Sequence, residues 1–325
     1  MADAATLTRT VVAIDHRFGD VAVEEAVLRE VGARVVDAEA LPADAAAAAC
    51  VDADAILIGP RLRFDEARIG ALQRCRVIVR YGVGYDNVDV AAASARGIAV
   101  AIVPDYCIEE VATHALAMIL ALNRQLVALD HSVREGGWQI GERSGIRRLS
   151  ESTLGIVGFG RIGEALGRRV LALGMRVVAT DPARPAEEIE ASGTRAVALA
   201  ELLASSDFVS VHAAKSADAP PILDAAALAQ MKPTAYVVNV ARGGLIDEVA
   251  LDEALRSGRL AGAALDILDP EPPPPDAPLL TAPNVLVTPH AAWYSSTAIQ
   301  ELRRKAAEEA ARVLAGGTAR NPVGA

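Results

Sequence analysis

A glycine-rich segment near the middle of the chain, Gly155-Ile-Val-Gly158-Phe159-Gly160-Arg161-Ile162-Gly163, constrains the fold more than any other. Residues 154–157 ahead of it read as a strand and residues 161–173 after it as a helix. In such a strand–turn–helix unit the first glycine permits the tight turn, the second leaves room for a phosphate, and the third lets helix and strand pack closely. The helix start then points unpaired backbone N–H groups at an anion. A second apolar run, residues 177–179, leads to Asp181, 23 residues beyond Gly158. A carboxylate there accepts both hydroxyls of an adenosine ribose and repels a 2′-phosphate, which predicts NAD as cofactor, with NADH preferred over NADPH.

The rest of the chain repeats the same alternation. Residues 11–14, 34–36, 55–58, 76–80 and 98–103 read as strands, with a helix over 21–31 and a biased helix around the alanine run 45–49. Pro104 closes this block, and a long helix over 109–121 leaves it. Charged and glycine-rich residues 134–150 precede the glycine turn. Beyond it, strands are expected at 177–180, 195–197, 208–212, 236–240, 263–265 and 285–287, with short helices over 199–204, 225–231 and 248–257. Residues 272–275 are four prolines, which cannot form a helix interior and predict a stiff loop. A last helix over 296–314 stops at Gly316 and Gly317. Strand–helix alternation predicts mostly parallel sheets covered by helices, an α/β fold, and 325 residues suffice for two cores.

Several classes of function are disfavoured. A formal charge of −10 argues against direct nucleic-acid binding and requires that any anionic substrate meet positive groups concentrated locally. Cys50, Cys75 and Cys107 form neither a disulfide framework nor a metal-binding pair, so no metal is expected. No basic-then-apolar leader opens the sequence, and the apolar stretch 111–122 is too short to span a bilayer, so the expectation is a cytoplasmic protein with no membrane partner.

Three later segments carry polar groups just beyond expected strands, where open α/β sheets place their ligands. Arg242 follows Asn239-Val240-Ala241 and can hold a carboxylate through two parallel bonds. Asp266 ends a strand and Glu271 begins the proline loop. His290 follows Thr288-Pro289, with Trp293 three residues on.

Taken with Arg80-Tyr-Gly-Val-Gly-Tyr-Asp-Asn87, these segments make the chain resemble the D-isomer-specific 2-hydroxyacid dehydrogenases over nearly its whole length. The run Pro289-His-Ala-Ala-Trp-Tyr-Ser295 is most similar to the C-terminal-binding-protein branch and its bacterial relatives. The resemblance implies a two-domain protein: a Rossmann-type doubly wound nucleotide domain and a flavodoxin-like substrate domain. Their expected bounds are 104–293 for the former, with the connecting helix, and 1–103 plus 294–325 for the latter. It implies an Arg242–Glu271–His290 catalytic group, in which His290 exchanges a proton with the substrate oxygen, Glu271 orients the imidazole, and Arg242 binds the carboxylate.

The same resemblance assigns Arg80, Val83, Gly84, Arg242 and Trp293 to substrate, a small-molecule 2-oxo or 2-hydroxy acid. To the cofactor it assigns Gly158, Phe159, Gly160, Arg161, Ile162, Asp181, His212, Ser216, Val240, Ala241, Arg242, Asp266 and His290. Domain closure around the reacting groups and a homodimer are further implications. One departure is visible: family members commonly carry proline and then threonine where His212-Ala-Ala-Lys-Ser216 has Ala214 and Ser216. Alternatives are an NAD-responsive interaction protein of the corepressor type, or an enzyme for a phosphorus-containing acid.

Overall fold

A computed structural model describes residues 7–140, 146–215 and 219–324; Ser216 lies outside the described residues. The chain divides into two compact units, Met1–Cys107 with Ser295–Ala325, and Ile108–Tyr294.

In the first unit β1 (Arg9–Ile14), α1 (Ala22–Leu28), β2 (Ala33–Asp37), α2 (Ala43–Val51), β3 (Ala55–Ile58), α3 (Glu66–Ala71), β4 (Val77–Arg80), α4 (Val90–Ala95) and β5 (Ala99–Ala101) alternate. The five strands are all parallel in the order β2-β1-β3-β4-β5, the flavodoxin-like arrangement. β3 is buried throughout, as a strand covered on both faces must be. Ile56, Ile58, Ile78, Phe64 and Ile69 fill one side of this sheet. Asp65 and Asp89 accept N–H bonds from Arg68 and Ala92 and so fix the starts of two short helices. The helix expected over 21–31 is shorter: it becomes a 3₁₀ turn at Arg29–Val31 and ends at Gly32, whose φ of 67° needs glycine.

The second unit opens with α5 (Ile108–Arg124) and α6 (Leu126–Arg134), then β6 (Thr153–Val157), α7 (Arg161–Ala172), β7 (Arg176–Thr180), α8 (Ala186–Glu190) and β8 (Arg195–Ala196). It continues with α9 (Leu199–Ser205), β9 (Phe208–Val211), α10 (Ala225–Gln230), β10 (Tyr236–Asn239), α11 (Glu248–Arg256), β11 (Gly262–Leu265) and β12 (Val285–Val287). Its seven parallel strands run β12-β11-β10-β9-β6-β7-β8. Counted from β6 this is the doubly wound order, and it reverses between β6 and β9, which pair with Leu154 opposite Phe208. A crevice therefore opens beyond the carboxyl ends of those two strands, where the glycine turn begins.

α6 is an addition to the sequence reading. The helix expected over 109–121 runs to Arg124, and Gln125, at φ 50°, breaks it before α6 resumes at a 57° bend. No single helix among the described residues is long and apolar enough to cross a membrane.

α12 (Ser296–Leu314), capped by the Ser295 hydroxyl accepting from Ala298 N–H, returns to the first unit. There Arg303 donates to both oxygens of fully buried Glu24 at 2.8–3.2 Å, a paired buried charge rather than an isolated one.

Candidate active site

The glycine turn has the geometry a pyrophosphate cradle needs, and each glycine has its own reason. Gly158 sits at φ 92°, and a Cβ there would lie 2.5 Å from Ala213 N, so the turn passes hard against the residues after β9. A Cβ on Gly163 would lie 2.4 Å from the Gly158 carbonyl oxygen, which fixes how closely α7 approaches β6. A Cβ on Gly160 would meet nothing within 4 Å. Protein packing thus gives no reason for the second glycine, and the space beside it remains for a ligand. Gly160 is also the N-cap of α7 and supplies no side-chain acceptor, so the first-turn amides after it, at Arg161 and Ile162, face that space uncapped. These observations fit a dinucleotide.

Asp181 follows β7 directly. One carboxylate oxygen accepts from Phe159 N–H at 2.7 Å and the other from Ala183 N–H at 2.8 Å. Each oxygen keeps a second lone pair for a hydroxyl donor. His212, just past β9, bonds the Ser210 hydroxyl through Nε2 at 2.8 Å, and burial of its ring pushes its pKa down to about 4.

Across the same sheet end, buried Asn239 shapes the next loop. Its amide oxygen accepts from Ala241 N–H at 3.0 Å and its amide nitrogen donates to the Arg242 carbonyl at 2.9 Å. Val240, Ala241 and Arg242 are thereby held in one turn, with the Arg242 guanidinium donating to the Ala241 carbonyl at 2.6 Å.

His290 and Glu271, read from the sequence as partners, meet: Nδ1 lies 2.8 Å from Glu271 Oε2. Glu271 fixes that ring nitrogen as the donor, which leaves Nε2 to exchange a proton with a ligand. Both side chains remain partly exposed, at 43% and 37%, as groups that receive a substrate should. The imidazole stands on a residue at φ 51°, a left-handed conformation unusual for histidine.

Asp266 holds that conformation. The sequence resemblance assigned it to the cofactor; its carboxylate lies under the histidine loop, 2% exposed. Oδ1 accepts from Ala291 N–H at 2.8 Å and Oδ2 from Ala292 N–H at 2.9 Å, while its own carbonyl accepts from His290 N–H at 2.9 Å. The Thr288 hydroxyl bonds the same Oδ1 and also His114 Nε2, at 3.0 Å, on α5. A polar residue at a strand end was visible in sequence; its bonding to amides 25 and 26 positions later was not. Equally unforeseen, Glu248 accepts from Asp269 N–H at 2.8 Å and Lys215 lies 3.6 Å from the Asp269 carboxylate, bracing the loop that carries Glu271. Trp293 is half-buried and meets Tyr294 edge-on with ring centres 5.7 Å apart.

In the first unit, Arg80 ends β4 and donates to the Tyr81 carbonyl at 2.6 Å. Gly82 sits at φ 126°, a conformation that strains any residue with a side chain, and a Cβ there would push the Arg80 guanidinium aside, its Nη1 lying 2.0 Å away. The loop is tied down on both sides, by Val103 N–H donating to the Gly82 carbonyl at 2.9 Å and by the Asn87 amide donating to the Gly59 and Leu62 carbonyls at 2.9 and 2.8 Å. Val83 stands exposed at the tip, followed by Gly84.

Comparison with known proteins agrees with this geometry. Residues 116–292 match the family model for the D-isomer specific 2-hydroxyacid dehydrogenase, NAD binding domain. The D-3-phosphoglycerate dehydrogenase of Mycobacterium tuberculosis is 40% identical over 269 residues, covering 83% of this chain and 51% of that protein. The chain thus spans about half the length of the D-3-phosphoglycerate dehydrogenases it matches. A glyoxylate reductase of Korarchaeum cryptofilum is 39% identical over 81% of this chain and 79% of its own. Among solved structures, the TT0316 protein of Thermus thermophilus superposes with a TM-score of 0.81 at 34% identity, over 97% of this chain and 99% of the other.

Proposed function

From a chain that belongs to the D-isomer specific 2-hydroxyacid dehydrogenase family, we propose an NAD-dependent enzyme that interconverts 2-oxo acids and D-2-hydroxy acids. The observation that carries this reading is the His290–Glu271 pair, 2.8 Å apart, past the carboxyl ends of the same parallel sheet whose glycine turn has room for a dinucleotide. When bound, the nicotinamide cofactor supplies the hydride for carbon 2 of the substrate.

Every other part belongs to this chain. His290 Nε2 gives a proton to the 2-oxo oxygen during reduction and takes it back during oxidation, a contribution of ~10²–10⁴-fold. Glu271 keeps the imidazole in the tautomer and orientation that this exchange needs. Arg242 binds the substrate carboxylate and sets the carbonyl beside His290. Asp266 is a positioning residue, because it acts through the loop that presents the imidazole. Gly158, Phe159, Gly160, Arg161 and Ile162 hold the pyrophosphate, Asp181 the adenosine ribose, and His212 with Val240 and Ala241 line the remaining cofactor path. NADH is preferred over NADPH, which the Asp181 carboxylate supports by charge.

The first unit is proposed as the substrate domain, with donors from Val83 and Gly84 for the carboxylate; the constrained backbone at Gly82 supports this. Arg80 and Trp293 are proposed as further substrate contacts, of the kind the resemblance to the C-terminal-binding-protein branch implies, for a small-to-medium 2-oxo acid. A cytoplasmic homodimer is proposed as the assembly. Its support is an apolar face on the second unit: Leu126, Val127 and Val133 of α6, with Trp138 and Ile140 beyond it, are exposed. Val127 also lines a cavity of about 330 Å³ together with Leu122, Tyr236 and Val285. A net charge of −10 supports the absence of direct nucleic-acid binding.

The test follows NADH consumption by the purified chain over glyoxylate, pyruvate, hydroxypyruvate and phenylpyruvate, alongside His290→Ala. Turnover that is lost in the variant supports the reading; no turnover across the panel despite NADH binding overturns it.

A further inference from the structure

Arg184 lies three residues beyond Asp181, at the end of the nucleotide cradle where a 2′-phosphate would arrive. It is a cation in the neighbourhood where NADP-binding sites of this architecture use one, yet here it is turned away from that task. One guanidinium nitrogen donates to Glu164 Oε2 at 2.7 Å and to the Phe159 carbonyl at 2.8 Å. Nε faces Glu188 at 3.3 Å, and the guanidinium carbon lies 5.5 Å from the centre of the buried Phe159 ring. The pairing is mutual: the bond to Glu164 raises the Arg184 pKa, and the bond from Arg184 lowers that of Glu164.

Phe159 is the residue between the first two glycines of the turn, and both of its backbone polar groups are gripped from the β7–α8 connection. Asp181 accepts its N–H and Arg184 donates to its carbonyl. The acid that reads the ribose and the base that could read a phosphate are thus fastened to the same residue. Only the base is neutralised there, by Glu164 on α7 and Glu188 on α8.

We propose that Glu164 is a specificity-determining residue for the cofactor: by holding Arg184 against the glycine turn, it denies a 2′-phosphate its counter-charge. Discrimination against NADPH then has two layers. Asp181 repels the phosphate, and Glu164 withholds the cation that would compensate. This inference rests on the proposed nucleotide site and assigns a role to a residue outside its glycines and ribose acid.

The test is a cycle of variants titrated calorimetrically with NADH and with NADPH, each checked for folding by circular dichroism. In an Asp181→Ser background, adding Glu164→Gln removes the charge that holds Arg184 most closely, leaves it the longer 3.3 Å contact with Glu188, and tightens NADPH binding by about tenfold or more, the scale of one charge-assisted bond. Adding Arg184→Gln to that double variant removes the gain. A second comparison needs no Glu164 variant: in the Asp181→Ser background alone, Arg184→Gln leaves the NADPH dissociation constant within about twofold, because Arg184 is already engaged. An NADPH affinity unmoved by Glu164→Gln, or weakened about tenfold by Arg184→Gln in the Asp181→Ser background, overturns the inference while leaving the cofactor site standing. If the unaltered chain binds neither nucleotide, the dinucleotide reading itself falls.

Discussion

Asp266→Asn isolates the device that presents His290. The carboxylate offers one oxygen to Ala291 N–H and the other to Ala292 N–H, at 2.8 and 2.9 Å. An asparagine has a single oxygen, so in either orientation one of these N–H groups faces an NH₂ and loses its partner. The Thr288 hydroxyl can rotate to suit either arrangement, so the backbone donor bears the loss. Losing one bond to a charged, buried acceptor costs about 1.5–3 kcal/mol. For a unit of this size, at roughly 2–4 °C per kcal/mol, the melting temperature should fall by about 3–12 °C.

The catalytic effect follows from the same loop. A non-glycine residue held left-handed stores about 1–2 kcal/mol, and His290 at φ 51° relaxes once its support weakens. The turnover number should therefore fall by about tenfold, through loss of the aligned conformer. Thermal melting without nucleotide, followed by steady-state kinetics, measures both effects. An unchanged melting temperature combined with weakened NADH binding would refute this reasoning, and would return Asp266 to a direct contact with the cofactor.

Other expectations are briefer. His290→Ala should lower turnover by about 10²–10⁴-fold while the NADH dissociation constant stays within about threefold; calorimetry showing lost NADH binding would mean that the ring serves mainly as a wall of the cofactor site. Gly158→Ala should lower both melting temperature and NADH affinity, since its φ is 92° and the new Cβ would lie 2.5 Å from Ala213 N; wild-type affinity in that variant would contradict the cradle. His212 is held neutral by burial, with its pKa near 4. The unfolded chain takes up a proton below about pH 6.5 that the folded ring refuses, so stability should drop as the pH falls from about 6.5 to about 4, by roughly 2.5–3 kcal/mol. Urea unfolding at pH 7 and pH 4.5 should show that loss in the parent chain and a smaller one in His212→Gln.

Much of this was legible in the residues because local rules and the global fold agree. The spacing of Gly158, Gly160 and Gly163 between a buried strand and an amphipathic helix specifies one local geometry, and strand–helix alternation specifies the parallel sheet around it. The meeting of His290 and Glu271 was readable only through resemblance, since no period links positions 19 apart. α6 escaped because it is a separate nine-residue piece broken from α5 at Gln125, even though Leu126, Leu129 and Val133 recur at helical spacing. The direction of the Asp266 side chain and the pairing of Glu164 with Arg184 escaped for a different reason. Each depends on tertiary placement of polar atoms 20 or more residues apart, for which sequence carries no periodic signal.

The most direct test of the account is the handedness of the product. Purified chain, NADH and a prochiral 2-oxo acid such as phenylpyruvate should yield one 2-hydroxy acid per NADH consumed, and chiral chromatography should show the D enantiomer alone. An L or racemic product would contradict the proposed D-specific interconversion, and with it the proposed function.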